Sequence, residues 1–149
     1  MLWEEKIERL KKHLREDFRI PYVGWAQILS SIEKHFVIEN PNFRFHSWDN
    51  RLKIKQEVKV ILTTNIEVEL GKLDPSQYYW MILSTMTPAS RNFVYDTKVK
   101  GIQILQMHWE KDFYIVEKKY KWLAYFRRGV QETAIFKAGN SATPLDDFP

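Results

Sequence analysis

Residues 117–129 read EKKYKWLAYFRRG. Basic and aromatic residues interleave along the stretch, and Gly129 closes it. At a period of two, Tyr120, Trp122, Ala124 and Phe126 share one side of a strand, with Lys119 and Lys121 on the other. At spacings of three and four, Ile102, Leu105, Trp109, Phe113, Val116, Tyr120, Leu123 and Phe126 line one side of a long helix. Both periods fit. Composition favours strands, because the segment is rich in Tyr, Phe, Trp, Ile and Val. Glu110-Lys111-Asp112 and Arg127-Arg128-Gly129 are placed as turns. Residues 130–137 then pair back as the final strand.

Working outward, the N-terminal third is helical. Trp3, Ile7, Leu10 and Leu14 recur at three and four, with acids early and bases late, which suits the helix dipole over about 3–17. Trp25, Ile28, Leu29, Ile32 and Phe36 define a second amphipathic helix over about 24–37. Past Asn40-Pro41 the period changes to two. Phe43 and Phe45 alternate with Arg44 and His46, then Leu52, Ile54, Val58, Val60 and Leu62 with Lys53, Lys55, Glu57 and Lys59. Ile66, Val68 and Leu70 alternate with Glu67 and Glu69. Residues 78–86, YYWMILSTM, are apolar on both faces and read as a central strand, and Phe93 to Val99 alternates again. The expected class is α+β: two N-terminal amphipathic helices packed on a curved antiparallel sheet of about six or seven strands. Both helices need an apolar partner, so they are expected to cover one face of that sheet. The sheet is then either a cone around a pocket or open with a solvated concave face.

The 149 residues fit one domain, expected over 1–138, with 139–149 as a flexible acidic tail. Apolar residues make up 44% and charged residues 28%, as in a soluble globular protein. With no cysteine, disulfides, thiolate metal sites and a cysteine nucleophile are excluded, and a reducing compartment fits. The first residues are too charged for a signal peptide, and no apolar run approaches the ~20 residues that cross a bilayer. The expectation is a cytoplasmic protein without a membrane partner. Charge is uneven. Residues 1–40 hold seven bases and seven acids, and the last eleven residues hold two acids and no base, so 41–138 carry six of the positive charges in excess. That field favours an anionic partner.

The candidate chemistry lies in that middle segment. Lys53, Lys55 and Lys59 fall on one face of one strand, Lys98 and Lys100 on another, and Lys119 and Lys121 on a third, followed by Arg127. A groove for single strands needs cations that replace counterions and aromatic rings on which bases stack, the latter supplied by Tyr120 and Trp122. Lysines also mark the wet face of any antiparallel sheet and guard its edges. The four histidines form no HxH or HxxxH pair, so no metal or cofactor is expected. No Gly-rich phosphate loop and no nucleophile elbow is present. Asp96 with His46 or His108 is the acid/base pair a pocketed fold would use, and Glu67 and Glu69 would share a strand face. No catalytic residue is assigned.

The tail PLDDFP, residues 144–149, follows a GNSAT spacer. It resembles the acidic, Phe-bearing C-terminal tip of bacterial and phage single-strand-binding proteins. That tip recruits partner proteins and competes with DNA for the basic groove, so the resemblance implies such roles for Asp146, Asp147 and Phe148. The tail departs from the pattern in having two acids rather than a run, and Pro149 in place of a terminal Phe. The functional expectation is a small protein that binds single-stranded DNA or RNA on a basic aromatic sheet face. A pocketed domain for a small ligand, or a protein-interaction module with a homodimer or inhibitor role, stands beside it.

Overall fold

The computed structural model describes residues 2–21, 23–36, 57–62, 65–84 and 93–137, with the backbone alone for 57–62. In chain order these form α1 (Trp3–Leu14), β1 (Phe18–Arg19), α2 (Trp25–Phe36), β2 (Glu57–Leu62), α3 (Ile66–Leu70) and β3 (Tyr78–Leu83). Then come β4 (Val94–Lys98), α4 (Val99–His108), β5 (Phe113–Val116), β6 (Trp122–Arg127) and β7 (Glu132–Lys137). The strands build one open antiparallel sheet in the order β1-β4-β3-β5-β6-β7-β2. The α+β class is therefore as the periodicities imply, and β3 does have a neighbour on each side.

The two N-terminal helices lie on opposite faces of the sheet, not on one. Ile7 and Leu14 of α1 pack with Met81, Ile115, Ala124 and Ile135, together with Ile102 and Leu105 of α4. Leu29, Ile32 and Phe36 of α2 pack with Ile82, Tyr114, Val116, Leu123, Tyr125 and Phe136. Consecutive strand residues thus enter different cores, as the alternation of a strand demands. The physical reason is the composition of the central strands. All of FYIV in β5 is buried, as are the first five residues of β6. A strand apolar on both sides needs cover on both, and one layer of helices cannot give it. The result is helix–sheet–helix, with no solvated face over β5 to β7.

Two segments differ from their sequence reading. Residues 66–70 form a helix, because the Asn65 side chain accepts from the N–H groups of Glu67 and Val68 and so caps it. Residues 99–108 are also helical, with Val99, Ile102 and Leu105 buried at a spacing of three. The strands of the 101–128 segment begin only at Phe113. The 43–56 strand region and the tail from 139 lie outside the described residues.

Candidate functional site

The stretch 117–129 divides in two. Residues 117–121 are the β5–β6 turn, and only 122–127 are strand. Glu117 organises the turn. Its carbonyl accepts the Tyr120 N–H at 2.8 Å, and its Oε1 accepts the N–H groups of Lys119 at 3.1 Å and Lys121 at 3.0 Å. Tyr120 takes a left-handed φ of 57° to close it. Its ring stacks on His35 of α2 at 5.0 Å, which ties the turn to that helix. Trp122 is 1% exposed and packs near Tyr79, 5.9 Å between ring centroids, on the α1 and α4 side. A ring so enclosed offers no face to a base, so the stacking role expected of Trp122 is not available to it. Tyr120, half-buried against His35, has one side already taken.

Antiparallel pairing gathers one end of the sheet. Lys98 ends β4 opposite Tyr78, which starts β3. The β5–β6 turn and Lys137, opposite Trp122, close the same end. This brings together Lys98, Lys119 and Lys121 from the expected set and adds Lys118 and Lys137. Lys100 stands one residue into α4 and is exposed. Arg127 does not join them. It is at the other end of β6, 3.7 Å from Glu132. Lys59 lies on β2 opposite Ile135, at the far edge of the sheet. Lys53, Lys55, Asp146, Asp147 and Phe148 lie outside the described residues.

At this basic end the α2 face carries charge and aromatic rings at the margin of its apolar core, against which Trp80 packs. Arg19, Asp96, Trp80 and Val116 are register partners in one row across β1, β4, β3 and β5, and Lys98 and Tyr78 form the next row. Lys118 Nζ lies 3.5 Å from the Trp80 ring centre, and the Arg19 guanidinium 3.8 Å from that of Tyr78. Lys98 Nζ is 5.3 Å from the same Tyr78 ring. These are cation–π contacts in a half-desolvated setting, each worth on the order of 1 kcal/mol. Asp96 sits between the cations, 3.0 Å from Arg19 and 2.7 Å from Lys118. Its Oδ1 has no well-directed hydrogen bond among the described residues, so the nearby ammonium charge is what compensates it. Burial lowers the Lys118 pKa, Asp96 works against that shift, and Arg19 adds to it. Lys98 also pairs with Asp17 at 3.6 Å, and the Tyr78 hydroxyl donates to the Glu16 carbonyl. Three cations thus share two partly buried rings and two acids.

The remaining candidates separate. Asp96 is engaged with Arg19 and Lys118, and His108 is exposed at the end of α4. Glu69 is buried and pairs with Lys72 at 3.3 Å, whereas Glu67 is exposed, so the helix splits the two acids that a strand would have aligned. No group of three or more metal-ligating side chains occurs among the described residues. No helix among them is long and apolar enough to cross a membrane. Arg19 and Lys118 do not stand out in the sequence, because only the register brings each to its ring.

Residues 5–139 match the model of DUF6756, a family of unknown function. The chain belongs to that family. No curated protein and no solved structure matches it. The DUF6756 match runs from the first turn of α1 past β7, so it includes the whole Arg19–Tyr78–Trp80–Lys118 cluster. Asp146, Asp147 and Phe148 fall beyond its span.

Proposed function

We propose that the protein binds single-stranded nucleic acid through the Tyr78–Trp80 side of β3 and the basic end of the sheet around it. One observation carries this: two partly buried rings stand two residues apart on one strand face, each with a cation over it. Residues so spaced are about 7 Å apart. Successive bases of an extended strand can each meet one such ring, or the outer plane of the Arg19 guanidinium stacked on Tyr78. Lys98, Lys118 and Arg19 supply the phosphate contacts, with Lys119 and Lys121 on the adjoining turn. Asp96 limits affinity, because it already holds two of the three cations. A phosphate that takes one of them leaves the carboxylate to the other.

The test is fluorescence anisotropy of a labelled oligothymidylate across a salt series, with tryptophan emission followed in parallel. Three displaced counterion sites give a log–log slope of about −2 for a single strand. Trp80→Ala weakens binding by ~1–3 kcal/mol, and Lys118→Gln flattens the salt slope by about 0.7. Flat anisotropy at low salt, or Trp80→Ala and Lys118→Gln proteins that bind like the wild type, refutes the assignment.

A further inference from the structure

A second polar site lies at the opposite end of the sheet, where the β6–β7 turn meets α3 and α4. It is an open pocket of about 330 Å³. Ile66 is its accessible apolar lining, Phe126 lying enclosed behind it, and its charges come from Glu67, Glu132, Arg127 and Arg128. Arg127 and Glu132 pair with each other at 3.7 Å. The other two have no ion-pair partner within 4 Å among the described residues, and they are of opposite sign.

Arg128 is held in place without being neutralised. Its Nε–H donates to the Lys111 carbonyl at 3.1 Å, and a terminal nitrogen donates to the Gln106 carbonyl and to Gln106 Oε1, the latter at 2.9 Å. Gln106 is 5% exposed, and its own amide nitrogen donates to the Gln103 carbonyl at 3.1 Å, which turns Oε1 toward the guanidinium. Every one of these acceptors is an uncharged oxygen. The nearby acid, Asp112, accepts instead from the Tyr125 hydroxyl at 2.8 Å and the Arg128 backbone N–H at 2.9 Å. Burial lowers the Arg128 pKa, and the fields of Asp112 and Glu110 oppose that. A guanidinium so held keeps its charge and one terminal nitrogen to donate to a carboxylate. Glu67 across the pocket suits an ammonium. The volume stands at the lower end for ligand sites, which calls for a small molecule.

We infer that this pocket binds a small zwitterion of the α-amino-acid class, its carboxylate on Arg128, its ammonium on Glu67 and its side chain toward Ile66. The site shares no residue with the Tyr78–Trp80 face and does not depend on nucleic-acid binding.

The test is ligand-observed saturation-transfer NMR with each proteinogenic L-amino acid at about 10 mM, followed by calorimetry on any that respond. The expected result is binding of at least one amino acid with an apolar side chain. N-acetylation and methyl esterification of that ligand each weaken it by about tenfold or more. Glu67→Gln gives the same loss as N-acetylation with little change in Tm, since that exposed carboxylate has no hydrogen bond or ion pair among the described residues. Arg128→Lys weakens the carboxylate end, and Glu67→Gln decides the matter if Arg128→Lys disturbs the fold. Silence from every amino acid overturns the inference. So does binding that ignores both N-acetylation and Glu67→Gln.

Discussion

Gly101, in the first turn of α4, is where the fold admits no side chain, and Gly101→Ala measures why. A Cβ there would stand 2.0 Å from Thr97 Oγ1 and 3.3 Å from both the Thr97 Cβ and the Asp17 carbonyl. Thr97 cannot step aside freely. It is fully buried, and its hydroxyl donates to the Asp17 carbonyl at 2.9 Å, with the Lys98 carbonyl at 3.0 Å. That contact fastens the turn leading to Arg19 onto β4, next to the cation–aromatic cluster. Alanine gains about 1 kcal/mol of helix propensity over glycine. Overpacking costs ~1–3 kcal/mol, and breaking the buried hydroxyl bond a further ~1–3 kcal/mol. The net expectation is a loss of about 3 kcal/mol at the centre of these ranges, or roughly 6–12 °C in Tm for a chain of this size. Urea unfolding followed by tryptophan emission reads it. The decisive variant combines Thr97→Ala with Gly101→Ala, which removes the clashing oxygen. It is expected to recover more than about 1 kcal/mol relative to additive single effects. A Gly101→Ala protein as stable as the wild type, or strict additivity in the pair, refutes the steric account.

Trp122→Ala is expected to cost ~3–5 kcal/mol of stability, by urea unfolding, while leaving oligonucleotide affinity per folded molecule unchanged, whereas Trp80→Ala lowers that affinity. Burial holds the Tyr95 pKa above its ordinary 10.0, against a weaker opposite pull from its Trp3 hydrogen bond. The folded phenol therefore keeps its proton above pH 10 while the unfolded one loses it, so stability is intact below that pH and falls above it by about 1.4 kcal/mol per pH unit. Urea midpoints across the alkaline range should fall more steeply in the wild type than in Tyr95→Phe, and the difference between the two is the slope that belongs to Tyr95. Asn65→Ala removes the acceptor that caps α3 and is expected to cost about 1 kcal/mol, with faster hydrogen exchange at the Glu67 and Val68 amides.

Where the chain has a single apolar stripe or one strong period, the sequence was legible. Ile7 and Leu14, and Leu29, Ile32 and Phe36, face the core as their spacing implies, and both helices begin and end within a few residues of expectation. Ile66-Glu67-Val68-Glu69-Leu70 alternates like a strand, yet five residues are too few to fix a period, and the asparagine before them decides the outcome. The β5–β6 turn holds no Gly, Pro, Asn or Asp. A glutamate side chain and a tyrosine at positive φ make it, which composition does not announce. Ile102 and Leu105 do keep a helical spacing, and the period continues by coincidence into Phe113 and Val116, which hid the boundary at Trp109. The opposed placement of the helices was readable in principle from FYIV, a run with no wet side. The cation–aromatic cluster was not readable, because Arg19, Asp96, Trp80 and Lys118 come from four segments and meet only through register.

Burying both faces of the central strands decides where function can reside. Charges are excluded from the middle of β5, β6 and β7, so they collect at strand ends and turns. Antiparallel pairing then sorts them into two separate groups, the Lys118 end and the Arg128 end. Five residue steps along β6 separate Trp122 from Arg127, about 17 Å at strand rise. The Debye length at physiological ionic strength is about 8 Å, so a charge change at one end is largely screened from the other. Substitutions at the two ends should then add within about 0.5 kcal/mol. A protein carrying both Lys118→Gln and Glu67→Gln tests this. It should lose oligonucleotide affinity as Lys118→Gln does alone and amino-acid affinity as Glu67→Gln does alone. Coupling beyond that margin would mean that the buried sheet transmits strain between its ends, and that the two sites belong to one functional unit.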